Sequence, residues 1–270
     1  MIIGAGSRMR GFVDIHSHVL PGIDDGPRDL DAALEMARAA AQAGTQILVA
    51  TPHLRSDFPS VVVDEIPERC RSLSAEVDAA GIIGLRIVSG AETSLVWALE
   101  ASDEKLAAAS YGRRGKDILI ETPDDVSTVE ELLYRIRLRG LRITLAHPER
   151  SRVFQRDPDK LARLADQGIL LQVNADALLA KPGSQTRRLA EYACREGLAQ
   201  VIASDGHRAA EWRPVSLLAE GVNALTRLVG APRAEWMARQ APAAIIGGGE
   251  LPAAPEINAG SRGVWPFRRR

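Results

Sequence analysis

The stretch VDIHSHVLPGIDDGPRDLDAALEMARAAAQAGTQILVATPH, residues 13–53, decides the fold. It opens on the strand-like run VDIHSH (13–18) and closes on a second, ILVATPH (47–53). Between them Leu30, Ala33, Leu34, Ala37 and Ala41 recur at helical spacing and share one face. Pro27 suits the first helical turn and Gly44 the position after the last. A strand, a helix and a second strand of these lengths form a unit with parallel strands, because the helix carries the chain back to the starting end.

The same alternation runs outward along the chain. Further runs are LRIVSGAE (85–92), DILIET (117–122), RITLAHPE (142–149), LLQVNA (170–175) and AQVIASD (199–205). They are rich in Val, Ile and Leu with little polar alternation, the pattern of strands buried on both faces. Ser127 and Glu130 have capping-box spacing before Leu132 and Leu133, and Gly140 ends that helix. Asp157-Pro158 starts a helix that stops at Gly168, Ser184 caps one that stops at Gly197, and two more fall near 215–228 and 232–246. Seven βα units in series predict a TIM-like α/β barrel, here a (β/α)7 barrel, over one domain at 9–250. An open doubly wound sheet built from the same units is the alternative. From Leu251 the chain is rich in Pro, Ala and Gly and finishes WPFRRR, so 251–270 reads as a disordered tail.

Composition narrows the function. The 34 basic and 35 acidic residues leave a net charge of −1, and aromatics make up 4%. Neither supports a nucleic-acid partner. Cys70 and Cys194 stand far apart and in no CxxC pair, which fits a reducing cytoplasm better than a disulfide framework. No apolar run reaches the roughly 18 residues of a membrane span, and the start lacks the apolar stretch of a signal peptide. The expectation is a cytoplasmic protein that is not integral to a membrane.

The chemistry lies in the polar residues at the strand ends. The chain has five histidines, His16, His18, His53, His147 and His207, and each lies at or just past the C-terminal end of an expected strand. Asp14, Glu92, Glu121 and Asp205 occupy equivalent places, and Asp24 and Asp25 follow in the first loop. In a parallel barrel all these ends open on one face. A single histidine there is usually structural, and Asp25 before Pro27 could simply cap a helix. The joint placement predicts a metal cluster. In His16-x-His18 the two rings point to one side of a strand, and Asp205-x-His207 repeats that spacing. Imidazole with carboxylate suits Mn²⁺, Fe²⁺ or Zn²⁺, and so many ligands exceed the needs of one ion. Such a site clamps phosphate oxygens. Arg150, in AHPER, is the leading candidate for a phosphate clamp, followed by Arg208 and Arg213. No Cys-x5-Arg loop, Walker motif or GxSxG elbow is present, which leaves activated water as the nucleophile.

The stretches DIHSHVLPGIDDGP (14–27), ATPH (50–53), GAE (90–92), LIE (119–121), LAHPERSRVFQRDP (145–158), LLQVNA (170–175) and IASDGH (202–207) resemble the polymerase and histidinol phosphatase (PHP) superfamily. More closely they resemble its bacterial tyrosine-protein phosphatase branch, linked to capsule and exopolysaccharide export. The resemblance spans nearly everything from Met9 to Gly248. It implies a distorted (β/α)7 barrel of the PHP type with three divalent cations, commonly manganese. By position, His16, His18, Glu92 and Asp205 would hold one ion, and Glu92, Glu121 and His147 a second. Asp24, His53 and His207 would hold a third, with Arg150 on the phosphate. The implied substrate is a phosphotyrosine-bearing protein, the tail of a bacterial tyrosine kinase that controls polysaccharide synthesis. Two departures stand out: GHRAAEWRP after the last strand leaves both Arg208 and Arg213 as candidates, and Leu54 replaces a histidine common after TPH. The same site would also serve a phosphatase of histidinol phosphate or a sugar phosphate; a non-catalytic partner-binding barrel is the last alternative, since its mark would be lost metal ligands and every ligand position here is filled.

Overall fold

A computed structural model of the chain describes residues 11–123 and 128–257. Among the described residues nine strands, all paired in parallel, make seven staves. They are β1 (Phe12–Ser17), β2 (Thr45–Ala50) continued by β3 (His53–Leu54), β4 (Arg86–Ser89) continued by β5 (Glu92–Ser94), β6 (Asp117–Glu121), β7 (Arg142–Ala146), β8 (Leu170–Asn174) and β9 (Ala199–Ala203). The ladders run β1-β2-β4 and β3-β5-β6-β7-β8-β9. Pro52, which has no N–H to donate, marks the break between β2 and β3. Backbone contacts bridge the two breaks: Gly90 N donates to Ala50 O at 2.9 Å and Glu92 N to Pro52 O at 3.1 Å. Gly90 leaves little room for a Cβ, which would lie 3.0 Å from Val49 Cγ1.

The sheet closes on itself. Asp205 N donates to His16 O at 2.9 Å and His18 N to Gly206 O at 2.8 Å, so the segment after β9 pairs with β1. That closure selects the seven-stave barrel over an open doubly wound sheet. One buried cluster (including Leu48, Ile118, Ile120, Leu145 and Val173) joins the strands to the surrounding helices. A second (including Val13, Ile15, Val49, Leu119, Val201 and Ala203) fills the barrel, with Ile245 and Ile246 of the helix Ala241–Gly247.

Most helix ends follow their sequence signals. Gly44, Gly140, Gly168 and Gly197 all take positive φ just past a helix. Ser184 caps Gln185–Arg195, accepting from Arg187 N at 3.3 Å. The first helix departs from expectation, running Leu30–Gln42 with Asp29 as its cap, accepting from Ala32 N at 2.9 Å. Pro27 lies before that cap and belongs to the loop, where its carbonyl accepts from Gly22 N at 2.8 Å. Ser127 lies outside the described residues; the helix after it is Val129–Arg137. Residues 251–257, the start of the expected tail, are docked: Trp236 Nε1 donates to Pro252 O at 3.0 Å, and Leu251 and Ile257 pack on the core. The remainder, 258–270, lies outside the described residues. Among the described residues no helix is long and apolar enough to cross a membrane.

Candidate metal centre

The strand register sets the site. His53 pairs with Glu92 across β3 and β5, and Glu92 pairs with Leu119 on β6. His16 lies on β1, with His18 just beyond it, and Glu121 ends β6. His147 and Asp205 follow β7 and β9 in left-handed backbone conformations, with φ of 31° and 51°. A non-glycine residue seldom adopts that conformation, and here it turns two ligand-type side chains back over the barrel mouth. All five histidines, Glu92 and Asp205 are buried.

Glu92 sits at the centre. Its Oε2 lies 2.8 Å from His53 Nδ1 and 3.4 Å from both His16 Nε2 and His18 Nε2, and its Oε1 lies 2.9 Å from His147 Nε2. Asp205 Oδ1 lies 3.4 Å from His16 Nε2 and 3.5 Å from His18 Nε2. Glu121 Oε1 lies 3.9 Å from His147 Nε2. On the other side of His18, Asp25 Oδ1 lies 3.2 Å from His207 Nε2 and 3.5 Å from His53 Nε2.

His16 Nε2, His18 Nε2, His53 Nδ1, Asp25 Oδ1, Glu92 Oε2 and Asp205 Oδ1 are buried without a hydrogen-bond partner. Buried polar atoms are rarely left so. They fall in overlapping groups whose ligand atoms lie within 4.8 Å of one another: His18, Asp25, His53 and His207; His16, His147 and Asp205; His16, His18 and Glu92; His53, Glu92 and Glu121. Nitrogen and oxygen lone pairs aimed at shared points fit divalent cations, and the donor set has no thiolate.

Three of the five histidine rings are also held from behind. His16 Nδ1 faces Gln172 Oε1 at 2.9 Å, His18 Nδ1 faces Asp24 Oδ2 at 2.8 Å, and His207 Nδ1 faces Asp205 O at 2.8 Å. All three acceptors fix the proton on Nδ1 and leave Nε2 free to ligate. Gln172 Nε2 donates to Asn174 Oδ1 at 2.7 Å, and Asn174 Nδ2 donates to Asp205 Oδ2 at 2.8 Å. One side-chain chain on β8 thus ties His16 to Asp205. Asp24, expected as a ligand beside His53 and His207, does not join that group. Its Oδ2 takes His18 Nδ1 and also accepts from His53 N at 3.1 Å, while Asp25 supplies the carboxylate oxygen. Asp14 is outside these groups as well: its Oδ1 accepts from Ser204 N at 3.0 Å, pinning the β1–β9 seam, and burial pushes its carboxyl up to about 6.

Mutual charge dominates the electrostatics. Burial alone would raise Glu92 and Asp205, but the surrounding histidines, His16 first, hold both well below the usual carboxylate range. Burial alone would lower His18 and His147; the carboxylates around them instead hold His18 well above its ordinary value and His147 up to about 9. The pocket is built to balance positive charge against carboxylates. Cations entering it would displace protons from His18 and His147.

The three candidate arginines separate. Arg150 Nη2 donates to Asp176 Oδ2 at 2.7 Å and lies 3.7 Å from Asp205 Oδ2. Arg213 Nη1 lies 3.1 Å from the same Asp205 oxygen and 3.5 Å from His207 Nε2. Arg208 Nη1 instead donates to the carbonyls of Asp25 and His207, both at 2.7 Å, and ties the last loop to the first. Arg55 joins the mouth without having been singled out in the sequence: its Nη1 donates to Glu121 Oε2 at 3.0 Å.

The sequence pattern of the family described as "Capsular polysaccharide synthesis, CpsB/CapC" matches residues 12–247, which contain every one of these groups. The chain belongs to the CpsB/CapC family. Among curated relatives, this CpsB/CapC chain is 32% identical to the tyrosine-protein phosphatase YwqE of Bacillus subtilis (strain 168) over 202 residues, 73% of this chain and 77% of the relative. It is 26% identical to the tyrosine-protein phosphatase CpsB of Streptococcus agalactiae over 234 residues, 84% of this chain and 94% of the relative. A solved structure from a study of YwqE from Bacillus subtilis and CpsB from Streptococcus pneumoniae, termed unique metal-dependent tyrosine phosphatases, superposes with a TM-score of 0.77. The identity is 25%, covering 91% of this chain and 98% of that one. The lactonase Lmo2620 of Listeria monocytogenes shares the fold alone, at TM-score 0.57 and 13% identity over 88% of this chain and 95% of that one.

In this CpsB/CapC chain the sequence reading missed Arg55, Gln172, Asn174 and Asp176 as contributors. Gln172 and Asn174 carried a signal, since both lie in the LLQVNA run and are polar residues at i and i+2 of a strand otherwise apolar. Both are fully buried in the structure.

Proposed function

We propose that this CpsB/CapC protein is a metal-dependent protein-tyrosine phosphatase that hydrolyses phosphotyrosine on a bacterial tyrosine kinase controlling capsular or exopolysaccharide synthesis. The observation that carries the proposal is the convergence of five buried histidines with Glu92, Asp25 and Asp205, six of whose side chains aim an unpartnered buried ligand atom inward. The family, and the tyrosine phosphatases to which the chain is similar, favour phosphotyrosine over a small-molecule ester and over a barrel without activity. The relatives' tyrosine phosphatase activity supports the substrate class. The two buried free cysteines are compatible with a cytoplasmic enzyme.

Three cations, manganese by proposal, would be held by His16, His18, Glu92 and Asp205; by Glu92, Glu121 and His147; and by Asp25, His53 and His207. When bound, divalent cations supply Lewis acidity that lowers the pKa of water and neutralises charge on a phosphoryl group. The chain's own residues do the rest. Gln172, Asp24 and the Asp205 carbonyl fix the tautomers of His16, His18 and His207. Arg150, braced by Asp176, and Arg213, braced by Asp205, both lie beside Asp205 Oδ2 and would offer N–H groups to phosphate oxygens. Phenolate is a good leaving group, so no strong general acid is required.

The test compares phosphotyrosine and phosphoserine peptides with added Mn²⁺. Phosphotyrosine is expected to turn over at least about tenfold faster, with activity abolished by a chelator and restored by Mn²⁺. Equal rates on the two peptides, or rates indifferent to the chelator, would contradict the proposal.

A further inference from the structure

Aromatic residues are scarce in this chain, at 4%, yet two of them stand against histidines of the metal centre. Phe58 stacks on His53, with ring centroids 5.1 Å apart and planes 8° apart. Trp212 meets His207 edge-on at 4.7 Å and 64°. The two histidine rings lie 6.4 Å apart, so Phe58 and Trp212 flank the group formed by His18, Asp25, His53 and His207. Trp212 is 48% exposed, a large apolar surface held open to solvent at the mouth.

That exposed ring is held in place. His207 N donates to Arg213 O at 2.9 Å and Val215 N to Arg208 O at 3.0 Å, closing the 208–214 segment on itself. Arg208 anchors the segment to the Asp25 carbonyl at 2.7 Å. The guanidinium carbons of Arg213 and Arg208 lie 5.0 and 5.7 Å from the Trp212 ring centroid, and that of Arg55 lies 5.2 Å from the Phe58 centroid. Each aromatic wall therefore carries a cation beside it, as suits a substrate with a flat apolar ring and a dianionic head.

We infer that Phe58 and Trp212 form the walls of a slot for the phenyl ring of phosphotyrosine, and that these two residues set the preference for aryl over alkyl phosphate esters. The inference rests on the phosphatase reading above. With the phosphoryl group at the cations, its ester oxygen carries the side chain outward, past His53 and His207. A phenyl ring can then meet Phe58 and Trp212 face or edge first. The slim hydroxymethyl carbon of phosphoserine is too small to fill the space and gains no ring contact.

The experiment uses the full chain loaded with Mn²⁺ and compares Phe58→Ala, Trp212→Ala and Trp212→Phe with the unsubstituted protein. It reads kcat and KM on a phosphotyrosine peptide, and the inhibition constant of inorganic phosphate, which has no ring. Each alanine variant is expected to raise KM about tenfold while the phosphate constant moves less than about twofold, and Trp212→Phe recovers most of the loss. An unchanged KM in both alanine variants overturns the inference. So does a phosphate constant that rises in step with KM, which would mark these rings as scaffold for the metal centre. Failure of the parent reading shows separately, as absent phosphotyrosine turnover in the unsubstituted protein.

Discussion

Replacing Glu92 with Gln is expected to abolish phosphatase activity, lowering kcat/KM by about 10³-fold or more, equivalent to about 4 kcal/mol. No other carboxylate in the centre faces so many histidines: its two oxygens approach His16, His18, His53 and His147. Glutamine keeps the shape but removes a charge that sits fully buried, and its amide would donate to histidine nitrogens that should be ligating. Cations held there would then have fewer anionic donors in a site with little solvent to compensate. Metal analysis of the variant should therefore show a lower ion content than the unsubstituted protein. Its circular dichroism should stay that of the folded barrel, because the strands around Glu92 are held by their own ladder. A variant that keeps both its cations and its activity would remove Glu92 from the centre.

The second large effect separates two neighbours in the first loop. Asp25→Asn is expected to lower activity by about 10²–10³-fold and to cost about one cation per chain, since Asp25 Oδ1 is the oxygen facing His207 and His53. Asp24→Asn should cost about 10–100-fold and leave the cation count unchanged with weaker affinity. Its carboxylate holds His18 Nδ1 and the His53 backbone N–H, and so acts through ligands without being one. An asparagine oxygen can still accept those bonds, though more weakly. Equal losses of metal in both variants, or loss in the Asp24 variant alone, would reverse the assignment.

This pair also shows where sequence runs out. Asp24 and Asp25 are identical in chemistry and adjacent in a loop, where neither period 2 nor period 3.6 says which way a side chain points. Gly26 settles it in three dimensions: its N–H binds Asp24 Oδ1 at 2.9 Å, turning that carboxylate inward under His18. The histidines were legible because they sit at or just past strand ends, where the C-terminal end of a parallel barrel dictates a common destination. The helix stops at Gly44, Gly140, Gly168 and Gly197 were legible because positive φ is a local requirement. Arg208 and Arg213 could not be ranked from spacing, since the segment that carries them doubles back, with Glu211 and Arg213 both at positive φ. The helix Ile66–Ala79 went unread, its apolar positions (Ile66, Cys70, Leu73, Val77) diluted by charged neighbours. Long-range partners such as Gln172 to His16, 156 residues apart, leave no local trace.

The central claim is that residues from six of the seven staves would grip several cations at one end of the barrel. Anomalous scattering from crystals grown with Mn²⁺ tests it most directly. Three peaks are expected: one among His16, His18, Glu92 and Asp205, one by Glu92, Glu121 and His147, and one by Asp25, His53 and His207. Less than one ion per chain, or ions bound away from Glu92, would contradict it.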